Sequence, residues 1–312
     1  MMSVVLITGA NGFIGSHATL LFESLGHRVV PIDISPRSPD LSLLPIKPST
    51  TKLNVTDYKG LLKLCRKTMV THIVHAAHPH RDENPEVLYF ALLTMRNILE
   101  MAKELEIQRV VFASSGTIYG QLKNEGSHLR EDQPVAIYPT ILSRSSKILA
   151  EWLGDFYIQH HGVSFIALRL SSVYGPGQAS GIGAAIKEGI LGRECRPSLN
   201  CVPDDLIYVR DAMEAFGRAC FFEGFPNRVY NVGSGIGTVE EDLERAMRNH
   251  LQEVPFEIVE PVDFPAVGES RQRPILDITL AREELGFSPQ FDLDSGIAAT
   301  ADWVRREKRN LS

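Results

Sequence analysis

Short apolar runs recur along the first half of the chain: VVLIT at Val4–Thr8, RVVPID at Arg28–Asp33, HIVHAA at His72–Ala77, RVVFAS at Arg109–Ser114 and VSFIALRL at Val163–Leu170. They are rich in β-branched residues, and their continuous hydrophobicity predicts strands buried on both faces, as in a parallel sheet. The stretches between them carry apolar residues at helical spacing. The clearest opens with Asn84 as N-cap and Pro85 at the first helical position, then places Val87, Ala91, Met95, Ile98, Ala102 and Leu105 on one face. Strand and helix alternating over about 170 residues predict a doubly wound parallel α/β sheet.

Beyond Tyr174 the pattern loosens. YGPGQASGIG reads as a loop, PDDLIYVRDAMEAF as a short strand and a helix, and TVEEDLERAM as a helix opened by a capping box of Thr238 with Glu241. The expected division is a nucleotide-binding domain of residues 1–172 plus about 203–232, and a smaller C-terminal substrate-binding lobe of about 173–202 and 233–312. No internal repeat or low-complexity segment interrupts it.

Charge narrows the partners. With 32 basic and 38 acidic residues, a net charge of −6 and no long run of one sign, neither nucleic acid nor an anionic membrane is expected as a partner. No apolar run reaches the roughly 18 residues of a membrane span, and the N-terminus lacks the pattern of a leader. Cys65, Cys195, Cys201 and Cys220 have spacings that suit reduced thiols better than a disulfide or zinc framework. The expectation is a cytoplasmic protein acting on a small-molecule substrate.

TGANGFIGSH, Thr8–His17, lies between a predicted strand and a predicted helix. Gly9, Gly12 and Gly15 suit a tight turn, close approach of a pyrophosphate and tight helix–strand packing, with the anion at the helix N-terminus. Asp33 then ends the second strand, where a carboxylate accepts both adenosine ribose hydroxyls and repels a 2′-phosphate. This is a dinucleotide fingerprint of the Rossmann type, and it favours NAD over NADP. Arg37 supports the opposite preference, and a glycine-rich turn without a ligand is the plainer alternative.

TGANGFIGSH, LNVTD at Leu53–Asp57, VHAA at Val74–Ala77, FASSGTIYG at Phe112–Gly120, RLSSVYGPGQ at Arg169–Gln178, DLIYVRD at Asp205–Asp211 and YNVGSG at Tyr230–Gly235 occur in this order over nearly the whole chain. Together they resemble the extended short-chain dehydrogenase/reductases, the group of NAD-dependent nucleotide-sugar epimerases and dehydratases. The resemblance implies a Rossmann domain, bound NAD, a small substrate lobe and a homodimer formed through two long helices. It also implies cofactor contacts from Gly9, Asn11, Gly12, Phe13, Ile14 and Gly15, with Asn54 and Val55 against the adenine. Ala76 and Ala77 would pass over the cofactor, and Ser115 would face the substrate carbonyl.

The chemistry of that family uses a tyrosine four residues before a lysine, so that both side chains share a helix face. The ammonium holds the nicotinamide ribose and lowers the tyrosine pKa. Here Lys147 fits the lysine by its neighbours, SSKILAEWL, but four residues before it stands Ser143. Ser143 can bond Lys147 or the substrate, although a serine hydroxyl is too weak an acid to replace a phenol. Tyr138 lies nine residues before Lys147 and would need an inward turn to reach the site. His72, His75, His78 and His80 cluster in HIVHAAHPH, yet strand alternation separates His72 from His75, and a metal is not expected. His75 reads as structural. His78 and His80 follow the strand end, where an imidazole can act as acid or base, His78 being the better placed; a solvated loop histidine is the alternative.

Other positions bear on the substrate. Ser172 stands where nucleotide-sugar enzymes have an asparagine, Asp204 where they have an arginine that grips a diphosphate, and Ala91 where a helix asparagine is common. A carboxylate at position 204 opposes a diphosphate, so a small substrate other than a nucleotide sugar is expected. Arg271 and Arg273 are anion anchors or plain surface residues. Tyr119 and Tyr174 read as packing residues of the site walls, Trp152 and Trp303 as core or interface. Three functions follow: an NAD-dependent oxidoreductase or epimerase on a hydroxyl or keto group; a lyase, aldolase-type enzyme or isomerase that retains NAD; or a non-catalytic nucleotide-binding sensor. Ser115 and Lys147 favour an enzyme, and the first is preferred.

Overall fold

The structure, a computed structural model, describes residues 2–37, 41, 44–78, 84–120, 128–135, 142–223, 228–259 and 275–311. The first βα unit is β1 (Val4–Thr8) and α1 (Phe13–Ser24), followed by β2 (Arg28–Asp33), β3 (Thr51–Lys52), α2 (Tyr58–Thr68), β4 (His72–His75), α3 (Glu86–Glu104) and β5 (Arg109–Ser115). Then come α4 (Leu142–His161), β6 (Phe165–Leu170), β7 (Ser172–Tyr174), α5 (Ile182–Ile190), β8 (Asp204–Tyr208), α6 (Val209–Phe221) and β9 (Val229–Val232). The C-terminal part holds β10 (Gly237–Thr238), α7 (Glu240–His250), α8 (Thr279–Leu285) and α9 (Leu293–Leu311).

Seven strands form one parallel sheet in the order β3-β2-β1-β4-β5-β6-β9, with the order reversing at β1 and β4. β1, β4, β5 and β6 are buried along almost their whole length, as continuous apolar runs require. A second sheet, β10-β8-β7, stands beyond the carboxyl end of β6, with β8 parallel to β7 and antiparallel to β10.

Element ends shift for local reasons. β4 stops at His75 instead of Ala77: the Ala76 amide still bonds the Thr8 carbonyl (3.2 Å), but the Ala77 amide turns to the Thr8 hydroxyl (3.2 Å) as the chain passes over Gly9. α3 begins at Glu86, and Asn84 acts as expected by accepting the Glu86 amide (3.0 Å). The capping pair of α7 lies one residue further on, because Thr238 is drawn into β10; Asp242 accepts the Val239 amide at 3.5 Å.

A buried polar network pins α4 to the sheet. Arg169 of β6 pairs with Glu151 of α4 at 2.7 Å, and the Ser114 hydroxyl also donates to Glu151. Arg169 donates to the Tyr119 hydroxyl (2.7 Å), which donates to Asn231 of β9 (2.8 Å). Tyr119 is therefore a packing and bonding residue. Tyr174 is buried too, its hydroxyl filling the space that a Cβ at Gly296 would need. Loss of either partner of the ion pair would strand a buried charge, at a cost of about 3–5 kcal/mol.

Three buried histidines make the fold acid-sensitive. Burial lowers His17 and His72 to about 4 and His75 to about 3, from 6.5. Between those values and 6.5 the unfolded chain binds more protons than the folded one, so stability falls as pH drops through this window, with no contribution above it. Burial lowers Lys147 as well, from 10.5 to about 7, so urea midpoints should already fall between about pH 8 and pH 7 and keep falling below about 6.5 as the histidines contribute; a midpoint that rises on acidification would contradict the assignment.

Candidate functional site

The turn after β1 is built from main chain. Gly9 has φ +68°, and a Cβ there would lie 2.7 Å from the Ala77 nitrogen. A methyl at Gly15 would overlap the Gly9 carbonyl, so α1 begins directly against the turn. Gly12 is the N-cap, and no side chain caps the helix. The first-turn amides and the positive end of the helix dipole remain available to an anion.

A cleft of about 640 Å³ opens at this turn, at the carboxyl ends of the strands where their order reverses. Gly9, Asn11, Gly12 and Phe13 line it from the turn, Asp33, Asn54 and Val55 from the ends of β2 and β3, and Ala76, Ala77 and His78 from the end of β4. Phe90 and Thr94 of α3 and Gly177 and Ala179 after β7 complete the wall. Three of the expected cofactor contacts, Ile14, Gly15 and Lys147, are not on it. Ile14 packs against the core, and Gly15 acts by letting helix and strand approach.

Asp33 is held in place by backbone. Its Oδ2 accepts the Asn11 amide and its Oδ1 the Ser35 amide, each at 2.9 Å, while Asn11 donates to the Ser35 carbonyl (2.6 Å) and accepts from Thr50 (2.7 Å). A carboxylate has lone pairs beyond those two bonds. An anchored acid at the tip of β2 and an uncapped helix at the tip of β1 fit the ribose and the pyrophosphate of a dinucleotide. Arg37, near Glu23, has a buried Nε without a hydrogen-bond partner among the described residues.

Ser143 and Lys147 lie one turn apart on α4. Lys147 Nζ donates to the Ala113 carbonyl (2.5 Å) and sits 4.6 Å from the Phe112 ring centre; burial pulls its pKa down to about 7, against the opposing charge of Glu151. Ser115 Oγ accepts the Thr117 amide at 3.2 Å and meets the Thr117 hydroxyl at 3.0 Å. His78 Nε2 lies 2.8 Å from Ser146 Oγ, which donates to the Ser143 carbonyl (2.8 Å). With that hydroxyl proton on the Ser143 carbonyl, the tautomer that fits this bond has the imidazole hydrogen on Nε2. His78 lines the cleft, while Ser115, Ser143 and Lys147 lie off its wall. Tyr138, His80, Arg271 and Arg273 lie outside the described residues.

His75 is structural: it is buried, bonds the Thr8 hydroxyl at 2.7 Å and stacks on Phe112. His72 faces elsewhere, edge-on to Phe221. Among the described residues no group of three or more His, Cys, Asp or Glu could hold a metal ion. The four cysteines are buried and unbridged.

Sequence reasoning passed over Asn97, a polar residue within the apolar stripe of α3. It donates to the Val55 and Thr56 carbonyls (2.8 and 3.1 Å) and so fixes the segment beside the cleft. Glu151, one turn beyond Lys147, was passed over as well, its partner Arg169 lying 18 positions on. Asp204, expected to oppose a diphosphate, has partners of its own. It is buried and directed at neighbours instead of a ligand, accepting from the Ser172 hydroxyl at 2.6 Å and the Asn200 amide at 2.9 Å.

Comparisons with known proteins agree with this geometry. The UDP-glucose 4-epimerase of Mycolicibacterium smegmatis is 28% identical over 97% of this chain and 99% of its own. The dTDP-4-dehydro-6-deoxyglucose reductase of Escherichia coli is 27% identical over 94% and 95%. The crystal structure of Thermus thermophilus UDP-glucose 4-epimerase in complex with NAD superposes with a TM-score of 0.79 at 27% identity, covering 97% of this chain and 99% of that one. Residues 5–233 match the family model described as NAD dependent epimerase/dehydratase family, and the chain belongs to that NAD-dependent family.

Proposed function

We propose that this protein is an NAD-dependent epimerase or oxidoreductase acting on a hydroxyl or keto group of a small substrate other than a nucleotide sugar, with His78 in place of the usual tyrosine. The observation that carries the reading is the His78–Ser146 pair at the cleft wall, set beside a helix whose Lys147 has a serine four residues before it. The substrate-binding lobe in this reading is formed by about residues 173–202 and 233–312 around the second sheet.

NAD, when bound, supplies the hydride acceptor. Gly9, Gly12 and the first turn of α1 hold its diphosphate, and Asp33 its adenosine ribose. His78 takes the substrate's hydroxyl proton while its ring keeps the bond to Ser146. Ser115, whose hydroxyl accepts from Thr117, donates to the same substrate oxygen. Lys147, with its amine poised near neutrality against Phe112, orients the nicotinamide ribose.

The pairing of Asp204 with Ser172 and Asn200 supports a substrate without a diphosphate, since these bonds put a carboxylate at that position and no cation among the described residues that it contacts. The second reading, a nucleotide sugar, is favoured by the relatives, which are named for UDP- and dTDP-linked sugars. Turnover of free polyols and sugars set beside UDP- and dTDP-sugars decides between them. His78→Ala should lower kcat by roughly 10²- to 10⁴-fold on the true substrate while the thermal midpoint is kept. Unchanged turnover in that variant removes His78 from the chemistry.

Asp33→Asn should weaken NAD binding by roughly tenfold or more, because one charged acceptor for the ribose hydroxyls is lost, and should narrow the preference over NADP. Equal affinity of variant and wild type for NAD would contradict the role given to Asp33.

The same reading includes a homodimer through α3 and α4, where Tyr89, Trp152 and Phe156 are exposed aromatic residues on long helices. Light scattering should give a dimer for the wild type and a monomer for the double variant Trp152→Glu with Phe156→Glu. A wild-type monomer at micromolar concentration would defeat this part.

A further inference from the structure

His17 lies on α1, on the second turn after the uncapped start of the helix, and is buried. Its Nε2–H donates to the carbonyl of Pro176 at 2.8 Å, across 159 positions of sequence. The imidazole packs edge-on to Phe13, with ring centres 5.2 Å apart. Phe13 lines the cleft from one element, and Gly177 and Ala179, one and three residues after Pro176, line it from another.

The segment after β7 is stiff in itself. Gly175 and Gly177 have φ of +150° and +80°, backbone states that side-chain-bearing residues rarely adopt. The Gln178 amide bonds the Gly175 carbonyl (3.3 Å), and its side chain spans the Val173 carbonyl (3.2 Å) and the Gly183 amide (2.9 Å). At Gly175 the backbone rests closely on Val209 and Tyr208, so the segment is supported from β8 and α6. These bonds shape the segment internally. The His17 bond instead ties it to the helix whose N-terminus faces the cleft. A stiff segment tethered at such a point moves as one body, and its tether sets how often that body opens.

We propose that His17 is a positioning residue that latches the Gly175–Ala179 segment over the dinucleotide, and that its hydrogen bond to Pro176 governs cofactor release. This rests on the cleft being the NAD site. The imidazole touches no ligand; it acts through Pro176 and the two cleft residues that follow it.

The test is the dissociation rate of bound NADH, followed by its fluorescence after mixing with excess NAD, in the wild type, His17→Gln and His17→Leu. Glutamine keeps an N–H donor and leucine removes it at similar volume. His17→Leu should release NADH roughly tenfold faster, the effect of one buried hydrogen bond, and His17→Gln should stay within about threefold of the wild type. Hydrogen exchange at the amides of Gly177 and Ala179 should quicken in His17→Leu and not in His17→Gln. Should His17→Leu fail to fold, His17→Ser, too short to reach the carbonyl, carries the same expectation. Equal release rates in all folded variants, or equal acceleration by glutamine and leucine, overturn the latch. A wild-type protein that binds no NADH defeats the dinucleotide reading itself, a result visible before any variant is made.

Discussion

The contact between the β1 turn and the first turn of α1 is made of backbone on both sides. The Gly9 carbonyl lies where a side chain at Gly15 would begin, and the Ala76–Ala77 backbone lies where a side chain at Gly9 would begin. Three chain segments thus converge on one point with hydrogen atoms as the only spacers. The helix axis is brought onto the strand end, which directs its dipole and its uncapped amides into the cleft. The passage of Ala77 over Gly9 rotates its amide to Thr8, whose hydroxyl also holds His75. The buried histidine, the end of β4 and the position of His78 three residues later are consequences of that crowding.

A second constraint joins the chemistry to the core. α4 carries Lys147 and Ser146 toward the site and Glu151 into the sheet, a turn apart. Through Arg169, Tyr119 and Asn231 the Glu151 carboxylate is linked to β6, to the short helical turn at Gly116–Tyr119 and to β9. Each buried polar group in the chain of bonds satisfies the next, which makes the network costly to disturb. It fixes the rotation of α4, and with it the direction of the amine at Lys147. The same helix presents Trp152 and Phe156 to the outside, so a partner there would press on an element whose inner face carries Ser146 and Lys147.

The strands and the dinucleotide turn were legible because each rests on a short-range signal: continuous apolar runs for buried strands, spaced glycines for a main-chain contact, an acid at a strand end. Asp33 is an example, since its position follows from the length of β2 alone. What escaped were pairings between residues distant in sequence. His17 and Pro176, Asn97 and Val55, and Glu151 and Arg169 are each joined across 18 to 159 positions. A side chain's polarity marks it as unusual within an apolar stripe, yet the partner is chosen by the packing of whole elements. The one-residue shift of the α7 cap has the same origin, because Thr238 satisfies β10 before it can cap a helix.

Two of the three positions at which the sequence departs from the resemblance, Ser172 and Asp204, are one physical unit. A carboxylate buried as deeply as that of Asp204 requires donors, and Ser172 and Asn200 supply them through one hydroxyl, one main-chain amide and one side-chain amide. Replacing either 172 or 204 alone would leave a polar group unpaired at the junction of β7 and β8, a cost of roughly 1–3 kcal/mol. Compatible residues at both positions are therefore required by the fold, whatever the ligand. The carboxylate is committed to its neighbours, and its charge is taken up by bonds inside the junction. The β7–β8 junction thus follows from a requirement of internal satisfaction: the residues at 172, 200 and 204 are matched to one another by their hydrogen bonds.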